Sequence, residues 1–117
     1  MEKVAMILRK PPYGDTNAAE ALRHALGGVS GNLKVALIMV DGGVLLARKG
    51  QNDEGTGFTN LESTLNNCRE MGIEVFVDSL SLLEQSLEKE KLVDGVRIVN
   101  ESDIAAMLEG ADRTMIF

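Results

Sequence analysis

Short apolar segments alternate with helical segments along almost the whole chain, and this alternation limits the possible folds more than any other feature. Apolar runs predict five strands, at residues 3–8, 33–40, 73–77, 96–99 and 113–117. Alternation of this kind is typical of a parallel sheet with helices on both faces. The second run is apolar almost throughout, as expected for a central strand buried on both faces. The sequence therefore predicts an α/β fold built on a five-stranded parallel sheet.

Capping residues and glycines predict the bounds of the helices between these strands. The second helix is short and apolar almost all round, so it must be buried or must cover another subunit, and we expect a subunit interface. The predicted starts and stops are Thr16 to Gly27-Gly28, then 42–49, then Thr59 (with Glu62) to Gly72, then Ser81 (with Glu84) to about Lys89, and Asn100 (with Asp103) to Gly110.

Length and composition indicate one domain over residues 1–117. Of the 117 residues 44% are hydrophobic, which is enough for a core, and no linker or repeat interrupts the chain. A polar stretch with three glycines, residues 49–58, is predicted to be a mobile surface loop. The longest apolar run, residues 35–40, is too short to cross a membrane. With a single cysteine and no leader pattern, the expected location is the cytoplasm.

Charge argues against nucleic acid as a partner. The net charge is −6, aromatic residues make up 3%, and the only basic pairs are Arg9-Lys10 and Arg48-Lys49. Binding to phosphates requires a concentrated basic surface. The phosphate-binding glycine motifs are missing from the sequence, and Gly55-Thr56-Gly57 is not placed at a strand-to-helix turn, so no cofactor is expected.

The loops that follow the strands are the expected place for a site. In open parallel sheets, ligands bind beyond the carboxyl ends of the strands. Two interpretations of the aspartates stay open: Asp41 and Asp78 could hold Mg²⁺ or act as an acid–base pair, or they could cap helices. The stiff loop at residues 11–14 could likewise be an ordinary connection or one wall of a pocket, with Tyr13 as a lid. The predicted pocket residues are Tyr13, Asp15, Asp41, Asp78, Ser79 and Ser81.

The chain has only one cysteine and one histidine. Cys68 shares a helical stripe with Leu61 and Leu65, which predicts a buried and unreactive thiol. His24 falls outside the apolar face of its helix and is expected to be solvated. These counts exclude a zinc site of two histidines or of cysteines with histidine.

The order and spacing of several segments resemble one family over nearly the whole chain. The chain is similar to the DsrE/DsrF/TusD-like sulfur-relay family, and most similar to its small YchN-like homo-oligomeric members. The matching segments are the first strand with Pro12-Tyr13-Gly14, the second strand, Gly50-Gln51, GTGFTN at 55–60, residues 72–77, LVDGV at 92–96, and the final helix and strand with Ala111-Asp112-Arg113.

The resemblance implies a three-layer α/β/α sandwich, assembled into homo-oligomers as trimers or hexamers, and a role in intracellular sulfur trafficking. Members that carry sulfur hold it as a persulfide on a cysteine after the third strand. Here that segment is DSLSL at 78–82, and the family cysteine aligns at or near Ser81, with Ser79 and Asp78 as the other candidates. A hydroxyl cannot form a persulfide. The family's catalytic residue is therefore not carried over.

Three functions follow from these observations. The first is a DsrE-like oligomeric protein that serves sulfur trafficking, with a sulfur-relay protein as partner, without itself carrying sulfur. The second is a small-ligand or anion-binding module at the strand ends, in which Ser79 and Ser81 could bind an anion or Ser81 could simply cap a helix. The third, an enzyme that uses Asp41 and Asp78, has the least support because no nucleophile, base and orienting group can be assembled.

Overall fold

The computed structural model describes residues 2–51 and 60–117. Within them, the chain forms five strands and four α-helices, joined by two 3₁₀ segments, Asp41–Ala47 and Lys89–Lys91. We call the first of these the short helix. The strands are β1 Lys3–Leu8, β2 Lys34–Met39, β3 Glu74–Asp78, β4 Arg97–Val99 and β5 Arg113–Ile116, and the helices are α1 Asn17–Ser30, α2 Leu61–Glu70, α3 Ser79–Glu84 and α4 Glu101–Gly110.

All five strands pair in parallel in the order β4-β3-β2-β1-β5. The predicted α/β fold with a five-stranded parallel sheet is confirmed, and the strand ends differ from the predicted ones by a residue or so. Because β1 lies between β2 and β5, the chain steps outward from β1 to β4 and then returns across the sheet to form β5. All carboxyl ends consequently meet at one edge of the sheet.

The two faces of the sheet carry cores of unequal size. The major face, which includes Val4, Met6 and Leu8 of β1, packs against α1, α2, α3 and the short helix and holds most of the buried residues. The minor face has only Ala5, Ile38 and Phe76 as buried members, and Ile104, Met107 and Leu108 of α4 pack there. Helices thus lie on both faces, which is the expected sandwich, but α4 alone covers the minor face among the described residues.

The short helix is buried inside its own chain. Val44, Leu46 and Ala47 are completely inaccessible to solvent, packed in the major core with residues of α2 and α3. Its apolar surface is therefore no argument for a subunit interface. The sequence pattern correctly indicates burial, but the segments that bury the helix come from distant parts of the chain.

Several predicted helix ends differ from the observed ones. α1 continues through Gly27 and Gly28 to Ser30, because packing of the helix against the sheet outweighs the lower helix propensity of glycine. α3 ends at Glu84 rather than about Lys89. Thr59, the predicted cap of α2, and most of the predicted mobile loop at 49–58 lie outside the described residues, and Asn60 caps α2 by accepting from the Ser63 backbone N–H.

The described helices include no candidate for a membrane span. None of those within residues 2–51 and 60–117 is long and apolar enough to cross a bilayer.

Candidate functional site

Ser81 lies at the centre of a hydrogen-bond network at the carboxyl edge of the sheet. Its hydroxyl donates to the Asp78 carboxylate at 2.6 Å and accepts from the Asp41 backbone N–H at 2.8 Å. Its own backbone N–H donates to the same Asp78 oxygen at 3.2 Å. The side chain is buried, with 1% of its surface exposed. The ends of β2 and β3 are thus joined through one hydroxyl group.

The local sequence explains how Ser81 reaches this position. β3 extends one residue beyond its apolar run to Asp78, and Asp78 then acts as the N-cap of α3. The prediction that Ser81 itself caps the helix with Glu84 is wrong, because the helix begins two residues earlier, at Ser79. The capping interpretation of Asp78 is the one that the structure supports.

Asp41 enters the network through its backbone, and its side chain faces solvent. The carboxylate is 64% exposed and lies 4.0 Å from the Arg9 guanidinium. The residue has a φ of 51°, which turns the chain sharply from β2 into the short helix. Gly43 makes this turn possible, since a Cβ there would lie 2.2 Å from the Leu8 carbonyl oxygen.

The two aspartates do not form a metal-binding group. The Asp78 oxygen is engaged twice by Ser81, whereas Asp41 points to Arg9. Residues 2–51 and 60–117 contain no set of three or more acidic, cysteine or histidine side chains arranged to hold a metal ion. Of the two aspartates only Asp78 caps a helix, because the short helix has no side-chain cap and the Asp41 carboxylate faces Arg9.

Tyr13 belongs to a second network, around the buried side chain of Gln51. The Tyr13 hydroxyl donates to Gln51 Oε1 at 2.8 Å and accepts a longer bond, 3.4 Å, from the Leu61 backbone N–H. Gln51 Nε2 donates to the carbonyls of Leu46 and Arg48, each at 2.8 Å. The proline-rich loop, the short helix and the start of α2 are therefore held together by one phenol and one amide.

A small cavity lies beside this second network. Its volume is about 210 Å³, and it is lined by Pro11, Pro12, Tyr13, Leu45, Arg48 and Gln51. Tyr13 lines this cavity, and its role as the lid of a binding pocket stays a prediction.

Asp15 stands apart from both networks. Its Oδ1 accepts from the Asn17 backbone N–H at 2.7 Å at the exposed start of α1, while Thr16, the predicted cap, forms no capping bond with its side chain. Of the six predicted pocket residues, the network joins Asp41, Asp78 and Ser81. Tyr13 and Asp15 have other partners, and a common pocket for all six stays a prediction.

The thiol of Cys68 is sealed in the major core. Its side chain has no solvent-accessible surface, and burial raises the pKa of the Cys68 thiol to about 11. A thiol with this pKa is almost entirely protonated at neutral pH and is a poor nucleophile. Its free, buried state agrees with the expectation from the helical stripe.

α3 presents an apolar surface to solvent next to Ser79. Leu80 is 60% exposed and Leu83 is 78% exposed, while Ser79 is half-buried. An open cavity of about 620 Å³ lies along this side of the helix, lined by Ser79, Leu82, Leu83, Ser86, Leu87, Glu88, Lys89 and Glu90. Exposed leucines beside a cavity are typical of surfaces that contact other molecules.

Sequence reasoning missed two parts of this region. Gln51 is one of two buried polar residues among those described, the other being Ser81, and in the sequence it stood out only as part of the Gly50-Gln51 segment that resembles the family. The exposed side of α3 was missed because the run from Leu80 to Leu83 has the composition of a buried helix. Composition does not tell which leucines of a short helix face the core.

A family model matches residues 2–117, and it is that of the DsrE/DsrF-like family. The chain belongs to the DsrE/DsrF-like family. The match spans nearly every residue, so the resemblance seen in the order of sequence segments is confirmed as membership.

The curated relatives include a TusC homolog and a protein named for intracellular sulfur oxidation. The chain is 25% identical over 115 residues to a TusC homolog of Pseudomonas aeruginosa, with 97% of each chain covered. It is 30% identical over 95 residues to the intracellular sulfur oxidation protein DsrF of Allochromatium vinosum, covering 80% of this chain and 70% of DsrF. An uncharacterized protein of Methanopyrus kandleri is 28% identical over 118 residues, covering 100% and 95%.

Solved structures show the same fold. The ychN protein from E. coli superposes with a TM-score of 0.91 at 24% identity, and the match covers all of both chains. A protein of unknown function from Methanobacterium thermoautotrophicum has a TM-score of 0.73 at 13% identity, with 97% of each chain covered. At these identities the likeness establishes the α/β architecture.

Proposed function

We propose that this chain serves intracellular sulfur trafficking as a member that binds partner proteins and does not itself carry sulfur. Family membership, the match to a TusC homolog and the match to the intracellular sulfur oxidation protein DsrF support the pathway. One observation carries the second part of the proposal: the chain's single thiol, Cys68, has no exposed surface.

A persulfide carrier needs a thiolate that a donor can reach. Thiol exchange begins with attack by the deprotonated sulfur, and its rate depends on both thiolate fraction and access. Cys68 fails on both counts, since its pKa is raised to about 11 by burial. The hydroxyl of Ser81, which occupies the place expected for the family cysteine, is buried and bonded at both its hydrogen and its oxygen.

The same bonds bear on an anion-binding role for Ser81. Both its backbone N–H and its hydroxyl donate to Asp78. An anion would have to displace that carboxylate before Ser81 could donate to it. The network therefore favours a structural role for Ser81.

The exposed leucines of α3 support a protein partner. Leu80 and Leu83 lie on the same helix as Ser81, so a partner that docks there would contact the region where relatives with a thiol would present it. We also propose that the chain forms homo-oligomers, as trimers or hexamers. Light scattering with a monomer mass of 12.6 kDa would contradict that part.

Mass spectrometry of the folded protein tests the proposal directly. The native chain is incubated with inorganic polysulfide, alkylated and measured intact. We expect no gain of a sulfur atom, whereas the same chain unfolded in urea before alkylation should be labelled at Cys68. A native chain that gains sulfur on Cys68 within minutes would contradict the non-carrier role.

A matched variant tests whether the missing element is an accessible thiol. Ser79 is half-buried, lines the cavity beside α3 and forms no bond that holds the network together. In a Cys68→Ala background, Ser79→Cys should gain one sulfur atom from polysulfide, while the Cys68→Ala chain alone should gain none. If Ser79→Cys stays unmodified although it is readily alkylated, this region does not support persulfide chemistry, and the argument from the lost cysteine is wrong.

A further inference from the structure

A groove lies on the minor face of the sheet, at the edge opposite the candidate site. It runs between the amino ends of β1, β2 and β3 and the last turns of α4, and its volume is about 270 Å³. Its floor and far wall are apolar and made mostly of small side chains. These residues are Ala5, Ala36, Phe76, Ala106, Met107 and Ala111.

The groove exists because small residues face one another across it. Ala5 and Ala36 are register partners on neighbouring strands, so the middle of the floor carries only methyl groups. Ala106 and Gly110 form the helix side. Larger side chains at these positions would fill the space between the sheet and α4, as side chains in protein interiors normally do.

Two lysines stand side by side at the mouth of the groove. Lys3 and Lys34 are register partners and point to the same face, which places like charges on adjacent strands. Such a pair is unfavourable unless negative charge is nearby. The negative end of the α4 dipole lies at the same edge and helps to hold both ammonium groups there.

The carboxylates at this edge already have partners. Glu74 contacts Arg97 at 3.4 Å and Lys34 at 3.9 Å, and Asp112 accepts from the Lys3 backbone N–H at 2.8 Å. Three cations, Lys3, Lys34 and Arg97, thus face two carboxylates. The further ion pair at this edge, Arg113 with Glu2, is neutral, so one positive charge is in excess. Among the described residues, the Lys3 ammonium forms no ion pair within 4.0 Å. This excess is local, because the whole chain carries −6.

We propose that the groove binds a medium-chain aliphatic carboxylate, with its chain on the alanine floor and its carboxylate between Lys3 and Lys34. Charge complementarity selects an anion, and the apolar floor selects an aliphatic tail. If each carbon or oxygen group takes about 30 Å³, the volume of one water molecule in the liquid, the groove holds roughly nine such groups. A chain of roughly six to eight carbons therefore fits, smaller than the drug-sized ligands of larger pockets.

This site is independent of the proposed role in sulfur trafficking. It shares no residue with the Ser81 network and lies at the amino edge of the strands, not the carboxyl edge. A failure of one proposal leaves the other in place.

Titration by NMR with the full chain tests the proposal, using octanoate as the probe. We expect saturable shifts of amides around Ala36 and Ala106, and an affinity that falls about fourfold for each methylene removed from the chain, which corresponds to about 0.8 kcal/mol. Octylamine and octanol of the same length should bind at least tenfold more weakly, since both lack the negative charge.

Variants separate the head-group contact from the apolar contact. Lys34→Gln and Lys3→Gln should each weaken octanoate binding about three- to fivefold, while Lys10→Gln, an exposed position at the opposite edge of the sheet, serves as the matched control. Ala106→Leu adds bulk on the helix side and should abolish binding with the chain still folded by circular dichroism.

Three results would overturn the proposal. The first is the absence of saturable amide shifts at about 10 mM octanoate, which is roughly the weakest affinity expected for a site of this size. The second is equal affinity for octylamine, and the third is unchanged binding in Ala106→Leu. Shifts confined to α3 would place any octanoate on the exposed leucines and would also count against the groove.

Discussion

The Ser81 hydroxyl donates a hydrogen bond of 2.6 Å to the Asp78 carboxylate, and this contact fixes the junction between β3 and α3. The same hydroxyl accepts from the Asp41 backbone N–H, so it also determines where the short helix begins. One hydroxyl group thus joins the segment after β2 to the segment after β3.

Replacing Ser81 with alanine should lower the free energy of unfolding by about 1–2 kcal/mol, because the Asp41 N–H loses its partner and Asp78 keeps only a backbone contact. Urea denaturation measures this change. Ser102→Ala, at an exposed position of α4, is the control and should change stability by less than about 0.5 kcal/mol. Equal stability of the two variants would mean that the Ser81 network contributes nothing to the fold.

The sheet could be predicted from the sequence because its signals are local. Each strand is a short apolar run, and the helix at the end of the chain carries a complete capping box, formed by Asn100 and Asp103 as predicted. Such signals depend on residues three or four positions apart, and tertiary contacts rarely reverse them.

The candidate site could be predicted only in part, because its geometry depends on a one-residue difference at the end of a strand. The sequence predicts that β3 ends at Val77 and that a helix starts at Ser81. In the structure β3 includes Asp78, and Ser81 lies inside the hydrogen-bond network instead. The prediction that the apolar short helix forms a subunit interface failed for another reason. Its pattern indicates burial, but which surface buries it is decided by α2 and α3, far along the chain.

Removing the Tyr13 hydroxyl should destabilise the contacts that join the proline-rich loop, the short helix and the start of α2. Tyr13→Phe loses the bond to Gln51 and the acceptor for the Leu61 N–H, and we expect a loss of about 1–2 kcal/mol in the free energy of unfolding. Gln51→Ala should cost more, about 2–3 kcal/mol, since two carbonyls lose their donor in a buried place.

A double-mutant cycle on Tyr13 and Gln51 measures their coupling. The losses in the free energy of unfolding of the two single variants should sum to more than the loss in the double variant, because each single variant breaks the same 2.8 Å hydrogen bond. Gln85→Ala, at an exposed position, is the control for loss of a glutamine amide. Strict additivity would show that the Tyr13–Gln51 bond carries no coupling.

The buried thiol predicts a particular dependence of stability on pH. Burial raises the pKa of Cys68 from 9.0 to about 11, so the folded state favours the protonated thiol. The associated stability is fully present below the unfolded pKa near 9 and is lost as pH rises toward about 11. The free energy of unfolding of the native chain should thus fall more steeply in this range than that of Cys68→Ala.

Urea denaturation at several pH values between 8 and 11 compares the two chains, in roughly the range where the thiol titrates. Every other side chain is the same in both chains, so the difference between the curves isolates Cys68. At neutral pH, Cys68→Ala should be about 1 kcal/mol less stable because of the small cavity, and the gap should narrow above pH 9. Curves that stay parallel would show that the thiol ionises equally easily in both states.

The cap of α4 should control the stability of the minor face. The Asn100 side chain accepts from the Asp103 N–H at 2.9 Å, and Asp103 accepts in return from the Asn100 N–H at 3.0 Å. Asn100→Ala should cost about 1 kcal/mol, while Asn100→Asp, which keeps an acceptor, should cost only a few tenths.

Hydrogen exchange distinguishes a local effect on α4 from a global one. Because α4 supplies Ile104, Met107 and Leu108 to a core with only three fully buried members, its amides should lose protection in Asn100→Ala well before those of β1 and β2. If all amides lose protection together, then α4 unfolds only with the whole domain. The smaller core on the minor face would then be as strongly coupled to the fold as the larger core on the major face.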